Sequence, residues 1–228
     1  MPSQPRQLPL DLRHVEQLSR DDLVVTPANA AASALIDSWP DWPSHVVILA
    51  GPPGCGKSHL AAVWRAQAGA ELVDPGRLGY EMAIPEHPVL IDGIGEKPFD
   101  QNGLFHLINA IRARGDYLLL TTRLFPGAWR VTLPDLASRL KAATTVEIQE
   151  PDDALLAAVI AKLFADRQID VDFSVVQYLV RRMERSLSTA MALVHRLDRA
   201  ALEGKTRITR ALAAQVLEAL DENRGTTA

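Results

Sequence analysis

Hydrophobic positions along the chain follow two rhythms, with a change near residue 150. In the first part, short apolar runs at 46–50 (Val-Val-Ile-Leu-Ala), 71–73, 89–92, 117–121 and 145–148 alternate with helix-periodic stretches at 57–68, 102–114 and 134–142. Apolar runs this short, spaced by helices, predict parallel strands covered on both faces. After Glu150-Pro151-Asp152-Asp153 only helical spacing remains, at 153–167, 173–184, 187–203 and 209–221. A proline with two acids is a helix-start signal, and Asp172, Ser186 and Thr209 stand where N-caps are expected. The pattern predicts a three-layer α/β domain over 21–150, built on a five-stranded parallel sheet, and a small all-helical domain over 151–228. Residues 1–20 are polar and proline-bearing and are expected to form a flexible arm. No internal repeat or low-complexity tract interrupts this plan.

The first strand runs into a motif. Gly51, Pro52, Pro53, Gly54, Cys55, Gly56, Lys57 and Ser58 spell G-x-x-x-x-G-K-[ST], the phosphate-binding loop, between a predicted strand and a predicted helix. In that setting the backbone N–H groups form an anion nest and the helix N-terminus adds partial positive charge. Glycine permits the turns and close approach that a Cβ would block. Lys57 is expected to reach the terminal phosphates and Ser58 to ligate Mg²⁺, with the backbone N–H of His59 facing phosphate. The ring of His59 is expected on the helix surface. The implied ligand is ATP or ADP with Mg²⁺.

A second run, Val89-Leu90-Ile91-Asp92, ends a buried strand on a carboxylate, which suits a place in the Mg²⁺ shell. Hydrolysis normally uses a further carboxylate directly afterwards to polarise water. Here that position is Gly93, and Glu96 lies beyond a turn.

Composition narrows the partners. The 228 residues are 47% hydrophobic and carry a net charge of −4, so a basic nucleic-acid footprint is not expected. The arginines at 181, 182, 185, 196 and 199 are interleaved with acids and are expected on a solvated helix face. The single cysteine, Cys55, excludes an intrachain disulfide and suits a reducing, cytoplasmic setting. It is expected to fill space inside the loop. No run is long enough to span a membrane, and no signal-peptide pattern opens the sequence. His14, His45, His87, His106 and His195 show no metal-ligand spacing. Trp39 and Trp42 are expected to pack a loop over the core, and Asp152-Asp153 to supply helix N-terminal charge.

The phosphate loop, the strand ending in Asp92 and the helical C-terminal part together resemble an AAA+ ATPase. Leu133-Pro134-Asp135-Leu136-Ala137-Ser138-Arg139-Leu140 is similar to the arginine-finger helix of the Hda/DnaA-like AAA+ family. Asp22-Leu23-Val24-Val25 and Ala28-Asn29 resemble the segment that introduces its core, and Leu197-Asp198-Arg199-Ala200 resembles its lid. The resemblance covers about 21–221. It implies an AAA+ phosphate-loop domain followed by a helical lid, with Arg139 acting in trans on ATP held by the replication initiator DnaA. A surface Arg139 paired with Asp135 on the same helix is the competing reading. DnaA has a further DNA-binding domain after its lid. None is expected here, and no direct specific DNA binding.

The arm adds a separate resemblance. Gln7-Leu8-Pro9-Leu10-Asp11-Leu12 is similar to the short peptide by which proteins of this kind bind the β subunit of the DNA polymerase III sliding clamp. Gln7, Leu8, Leu10, Asp11 and Leu12 are the candidate clamp-binding residues. In an extended peptide the three leucines point one way, into an apolar groove. Gln7 can fix register, and Pro9 lowers the ordering cost.

Two positions depart from the AAA+ pattern. Ser188 stands where a lid arginine usually meets the phosphates, with Arg185 about one turn away as a substitute. After the fourth strand the family is expected to carry a small polar or acidic residue; here the strand ends Thr121-Thr122-Arg123, which would put Arg123 in an acidic position of the family. Together with Gly93 these imply weak or absent intrinsic hydrolysis. The expected role is a negative regulator of replication initiation that docks on the clamp and promotes hydrolysis of DnaA-bound ATP, associated with the nucleoid or replisome. A homo-oligomer is a further expectation. The alternatives are a helicase-loader-like motor and a hydrolysis-dead DnaA-binding adaptor.

Overall fold

A computed structural model describes residues 19–79 and 82–225. Five strands form one sheet: β1 (Val46–Ala50), β2 (Glu71–Leu72), β3 (Val89–Ile91), β4 (Leu118–Thr122) and β5 (Thr144–Glu147). Their order is β2-β3-β4-β1-β5 and every pairing is parallel. All five runs anticipated from hydrophobicity are strands, with ends shifted by a residue or two.

Alternation along the strands feeds two cores. Val47 and Leu49 face one side with Ala32 and Ile36 of α1 (Ala30–Asp37) and Leu60 and Trp64 of α2 (Lys57–Ala68). Val46 and Ile48 face the other, with Leu104, Leu107 and Ile111 of α3 (Gln101–Arg114) and Leu136 and Leu140 of α4 (Pro134–Lys141). β1 and β4 are buried along their whole lengths, as strands sandwiched between helices must be. Trp42 stacks on the buried Trp64 with ring centroids 5.1 Å apart, so the Trp39–Trp42 loop does close over this core.

α1 was not evident from periodicity. Its sequence, AAASALID, has little polar contrast, and the burial of Ala32 and Ile36 against α2 and the sheet gives it its place.

Four further helices, α5 (Asp153–Asp166), α6 (Phe173–Val180), α7 (Leu187–Gly204) and α8 (Arg210–Gly225), have their own core around Ile160, Phe164, Leu179, Leu193 and Leu197. The anticipated caps are present. Asp172 accepts from Ser174 N at 2.7 Å, Ser186 from Thr189 N at 3.3 Å and Thr209 from Leu212 N at 3.3 Å. Asp152, rather than Pro151, completes the start of α5 by accepting from Leu155 N at 2.7 Å. α6 ends at Val180, short of the expected 184. The chain there tightens, with Arg182 N bonding Leu179 O at 3.0 Å, and the turn that follows buries Met183 and leads to Ser186.

Strand register also sets the functional edge. Ala50 lies beside Thr122, and Ile91 beside Leu120. The residues that follow β1 and β3 therefore emerge together at the C-terminal edge of the sheet, next to Thr121 and Thr122.

Candidate functional site

The loop after β1 is pinned from both sides. Gly51 N donates to Thr122 O at 3.2 Å, and a Cβ at Gly51 would stand 2.3 Å from Ile148 O. Gly54 and Gly56 have φ of 68° and 103°, a region that suits glycine. Among the described residues nothing accepts from the N–H groups of Gly54, Cys55 and Gly56. Those donors, with the orphan N–H groups of the first turn of α2, form a concave set suited to phosphate oxygens. Lys57 is buried and its Nζ donates to the carbonyls of Gly51 and Pro52, each at 2.8 Å, beside the buried Cys55 Sγ at 3.6 Å.

Ser58 Oγ donates to Asp92 Oδ1 at 3.3 Å. Thr121 Oγ1 donates to the same oxygen and itself accepts from Gly93 N at 2.8 Å. A hydroxyl and a carboxylate oxygen side by side are hard donors that fit Mg²⁺ completed by phosphate oxygens and water. The ring of His59 turns to Ser19, with Nε2 3.0 Å from Ser19 O.

The helical part closes over the loop. Leu187 N donates to Gly54 O at 2.8 Å, and Ser186 Oγ and Ser188 Oγ lie 2.7 Å apart at the start of α7. Between the loop, segment 22–24 and helices α5 and α7 lies a cavity of about 860 Å³. Leu155, Val159, Leu163 and Met191 make its wall apolar, while the loop makes its floor polar, the combination expected of a small-molecule site.

An ion-pair cluster ties the two parts together at the cavity rim. Lys162 Nζ on α5 sits 2.7 Å from Asp22 Oδ1 and 3.0 Å from Asp166 Oδ2. Ser19 Oγ donates to Asp22 Oδ2 at 2.6 Å. The Lys162 hydrogen bond, then that of Ser19, lowers the Asp22 carboxyl from 3.8 to about 2, and the same contact raises Lys162. A depressed carboxylate contributes stability that is present above its unfolded pKa and is lost as pH falls through the folded value. The pair is partly exposed, so its worth is ~0.2–1 kcal/mol. Lys162→Met is therefore expected to lower the melting temperature slightly between pH 5 and 9, with the gap to wild type closing as pH falls below about 4. A gap that widens in acid would mean that Asp22 is not the group responsible.

The positions expected to serve as sensors fall in different places. Ser188 lines the cavity, but Arg185 does not; it pairs with Asp153 at 2.7 Å on the outer surface. The expectation that Arg185 replaces the missing lid arginine is thus corrected, since the exposed Asp153 at the start of α5 holds it away. Arg123 Nε pairs with Glu96 Oε1 at 2.8 Å. The carboxylate nearest in sequence after Asp92 is thus paired with a guanidinium.

Arg139 is half-buried on α4, held by the buried Leu136 and Leu140 of the same helix. It borders a small cavity of about 240 Å³ with His45 and Val46, at the start of β1. The phosphate loop leaves the other end of that strand, roughly 16 Å away at strand rise. Among the described residues no carboxylate pairs with Arg139; the anticipated rival partner, Asp135, does not. The leucine motif at 7–12 lies outside the described residues. Among the described residues no helix is long and apolar enough to cross a membrane, and no group of three or more His, Cys, Asp or Glu could by itself hold a metal.

Residues 153–217 match the family described as the lid domain of Hda. The chain is also similar in structure to domain III of the replication initiation protein DnaA from Thermotoga maritima, with a TM-score of 0.76 at 15% identity over 90% of this chain and 97% of that one. The helical part of the chain is thus similar to the lid of Hda, and the chain as a whole has the AAA+ fold.

Two other solved structures share the fold of this AAA+ chain. DnaA from Aquifex aeolicus, bound to AMPPCP, has a TM-score of 0.70 at 16% identity, over 83% of this chain and 67% of that one. The Holliday junction branch migration motor RuvB from Thermotoga maritima has a TM-score of 0.66 at 17% identity, over 85% of this chain and 68% of that one. In sequence, an uncharacterised protein of Haemophilus influenzae is 29% identical over 107 residues, so the match spans 46% of each chain. For this AAA+ chain, sequence reasoning singled out loop residues 54–59 and Ser188, which line the cavity, and Asp92, which meets Ser58 beside it. It missed the Asp22–Lys162 contact, whose partners are 140 residues apart, and Arg167, which lines the cavity from the end of α5. Only the Lys162–Asp166 spacing of four carried a signal.

Proposed function

We propose that this chain is a DnaA-related negative regulator of chromosomal replication initiation that promotes hydrolysis of ATP bound to DnaA while tethered to the sliding clamp. The observation that carries the reading is the position of Arg139. It stands at the opposite sheet edge from its own phosphate loop, without a carboxylate partner among the described residues. A guanidinium so placed cannot serve the chain's own nucleotide, but it can meet one held by a neighbouring AAA+ subunit, where it would stabilise charge on the transferred phosphoryl oxygens.

In this reading residues 21–150 are the core, 151–228 the lid and 1–20 the clamp-binding arm. The loop from Gly51 through His59 binds ATP or ADP, with Lys57 at the phosphates, and the apolar lid wall covers the rest of the nucleotide. Ser58 and Asp92 would hold Mg²⁺, which supplies charge neutralisation at the phosphates when bound. The pairing of Glu96 with Arg123 supports a chain that retains its own nucleotide rather than hydrolysing it. Bound nucleotide then fastens lid to core and stabilises the folded state by mass action.

The arm raises the local concentration of the core at loaded clamps. The test is hydrolysis of DnaA-bound ATP with DNA-loaded clamp, with and without this chain. Acceleration that needs the clamp is expected, and no acceleration sinks the reading. The Leu10→Ala, Leu12→Ala double variant is expected to weaken clamp binding at least ~10-fold by removing two buried apolar anchors, with melting temperature unchanged. Undiminished clamp binding would refute the arm assignment.

A further inference from the structure

The small cavity beside Arg139 has a second guanidinium. Arg112, in the last turn of α3, lines the same space, together with His45 and Ser44. Its volume, about 240 Å³, is sufficient for a phosphate group and its waters but not for a whole nucleotide. Among the described residues no carboxylate lines it, and neither Arg112 nor Arg139 has an ion-pair partner. Arginines elsewhere on the surface do find acids: Arg20 with Asp37, Arg123 with Glu96, Arg185 with Asp153 and Arg199 with Glu203. Two cations left facing one pocket repel each other, and an anion between them removes that cost.

The remaining groups have matching polarity. His45 Nδ1 lies 2.8 Å from Asp116 O, an acceptor only, so Nδ1 carries the proton of that bond. Ser44 Oγ accepts from Val46 N at 3.2 Å, which leaves its own O–H free to donate. The opposing field comes from α3 and α4, which both end here with their negative carbonyl ends. Each is equivalent to about half a charge, so two full guanidinium charges prevail. The planar fork of arginine suits phosphate oxygens two at a time.

We propose that Arg112 and Arg139 together form a binding site for a phosphoryl group, with Arg112 as a second guanidinium on the terminal phosphate of a nucleotide presented by the partner subunit. This assignment of the phosphate's source rests on the trans role of Arg139. The site itself does not.

Two measurements separate them. In the isolated full chain, titration with inorganic phosphate should move the NMR signals of the His45 ring and the Arg112 and Arg139 side chains saturably, and Arg112→Ala should abolish the His45 shift. No response at these groups in wild type overturns the site. In the DnaA-bound ATP assay, Arg112→Ala should slow stimulated hydrolysis about tenfold, the loss of one charge-assisted hydrogen-bonding group. Arg112→Lys should recover only part of the rate. If Arg112→Ala stimulates fully while Arg139→Ala does not, the partner-phosphate assignment of Arg112 is overturned and the trans reading stands. If wild type gives no stimulation, the trans reading falls, and the assignment of a partner phosphate falls with it.

Discussion

Arg139→Ala is expected to leave clamp binding, nucleotide binding and melting temperature close to wild type and to reduce stimulation of DnaA-bound ATP hydrolysis by ~10³–10⁵, the range for removing an arginine finger supplied in trans. The separation of effects follows from the position of the side chain. α4 is anchored by Leu136 and Leu140, both buried, and by its proline at the first turn, so the helix does not depend on a half-buried residue at 139. The chain's own phosphate loop is at the other edge of the sheet and does not touch this residue. Arg139→Lys would keep the charge but lose the planar two-pronged geometry, and should resemble the alanine variant more than wild type. Single-turnover hydrolysis on preloaded DnaA is the measurement. Full stimulation by Arg139→Ala would remove the finger from the mechanism and leave DnaA association alone to account for any effect.

Gly54→Ala should sharply lower nucleotide affinity through a single methyl group. At φ 68° a Cβ is strained by ~1 kcal/mol or more. It would also stand 2.0 Å from Ser186 Oγ and 2.8 Å from Ser186 Cβ. The lid must then retreat, and the Leu187 N to Gly54 O bond opens with it. Strain plus overpacking sums to about 3 kcal/mol, or roughly 100-fold in affinity, readable by calorimetric titration with ADP. Gly69→Ala is the control. Its φ is 63°, yet a Cβ there meets nothing within 4 Å, so it should cost only the strain and leave nucleotide affinity intact. Equal affinities in Gly54→Ala and wild type would mean that lid contact plays no part in holding the nucleotide.

The parts of this molecule that were legible in advance are those fixed by local rules. β1 is an uninterrupted apolar run with a phosphate-loop motif at its end, and α2 begins at the lysine of that motif. The lid helices begin at Asp152, Asp172, Ser186 and Thr209, each a short polar side chain whose chemistry suits a cap. What was illegible depends on tertiary placement. α1 has an alanine-rich sequence with little contrast, and it becomes a helix by packing on α2 and the sheet. Arg185 is near the cavity in sequence but is drawn outward by Asp153, which only the fold brings close. Lys162 meets Asp22, and Arg112 shares a cavity with Arg139, through pairings that no spacing rule encodes. The departures at Gly93 and Arg123 were visible one by one, whereas the ion pair that joins Arg123 to Glu96 required three dimensions.

The sheet carries its phosphate loop at one end and Arg139 at the other, and this makes the molecule directional. Two such ends are different surfaces, so any contact that joins them is head-to-tail and cannot be satisfied by a two-fold axis. A subunit that offers Arg139 to a neighbour keeps its own loop end turned away from that neighbour. Its loop end stays free, so a row built on such contacts has one end that shows an arginine and one that shows a phosphate loop.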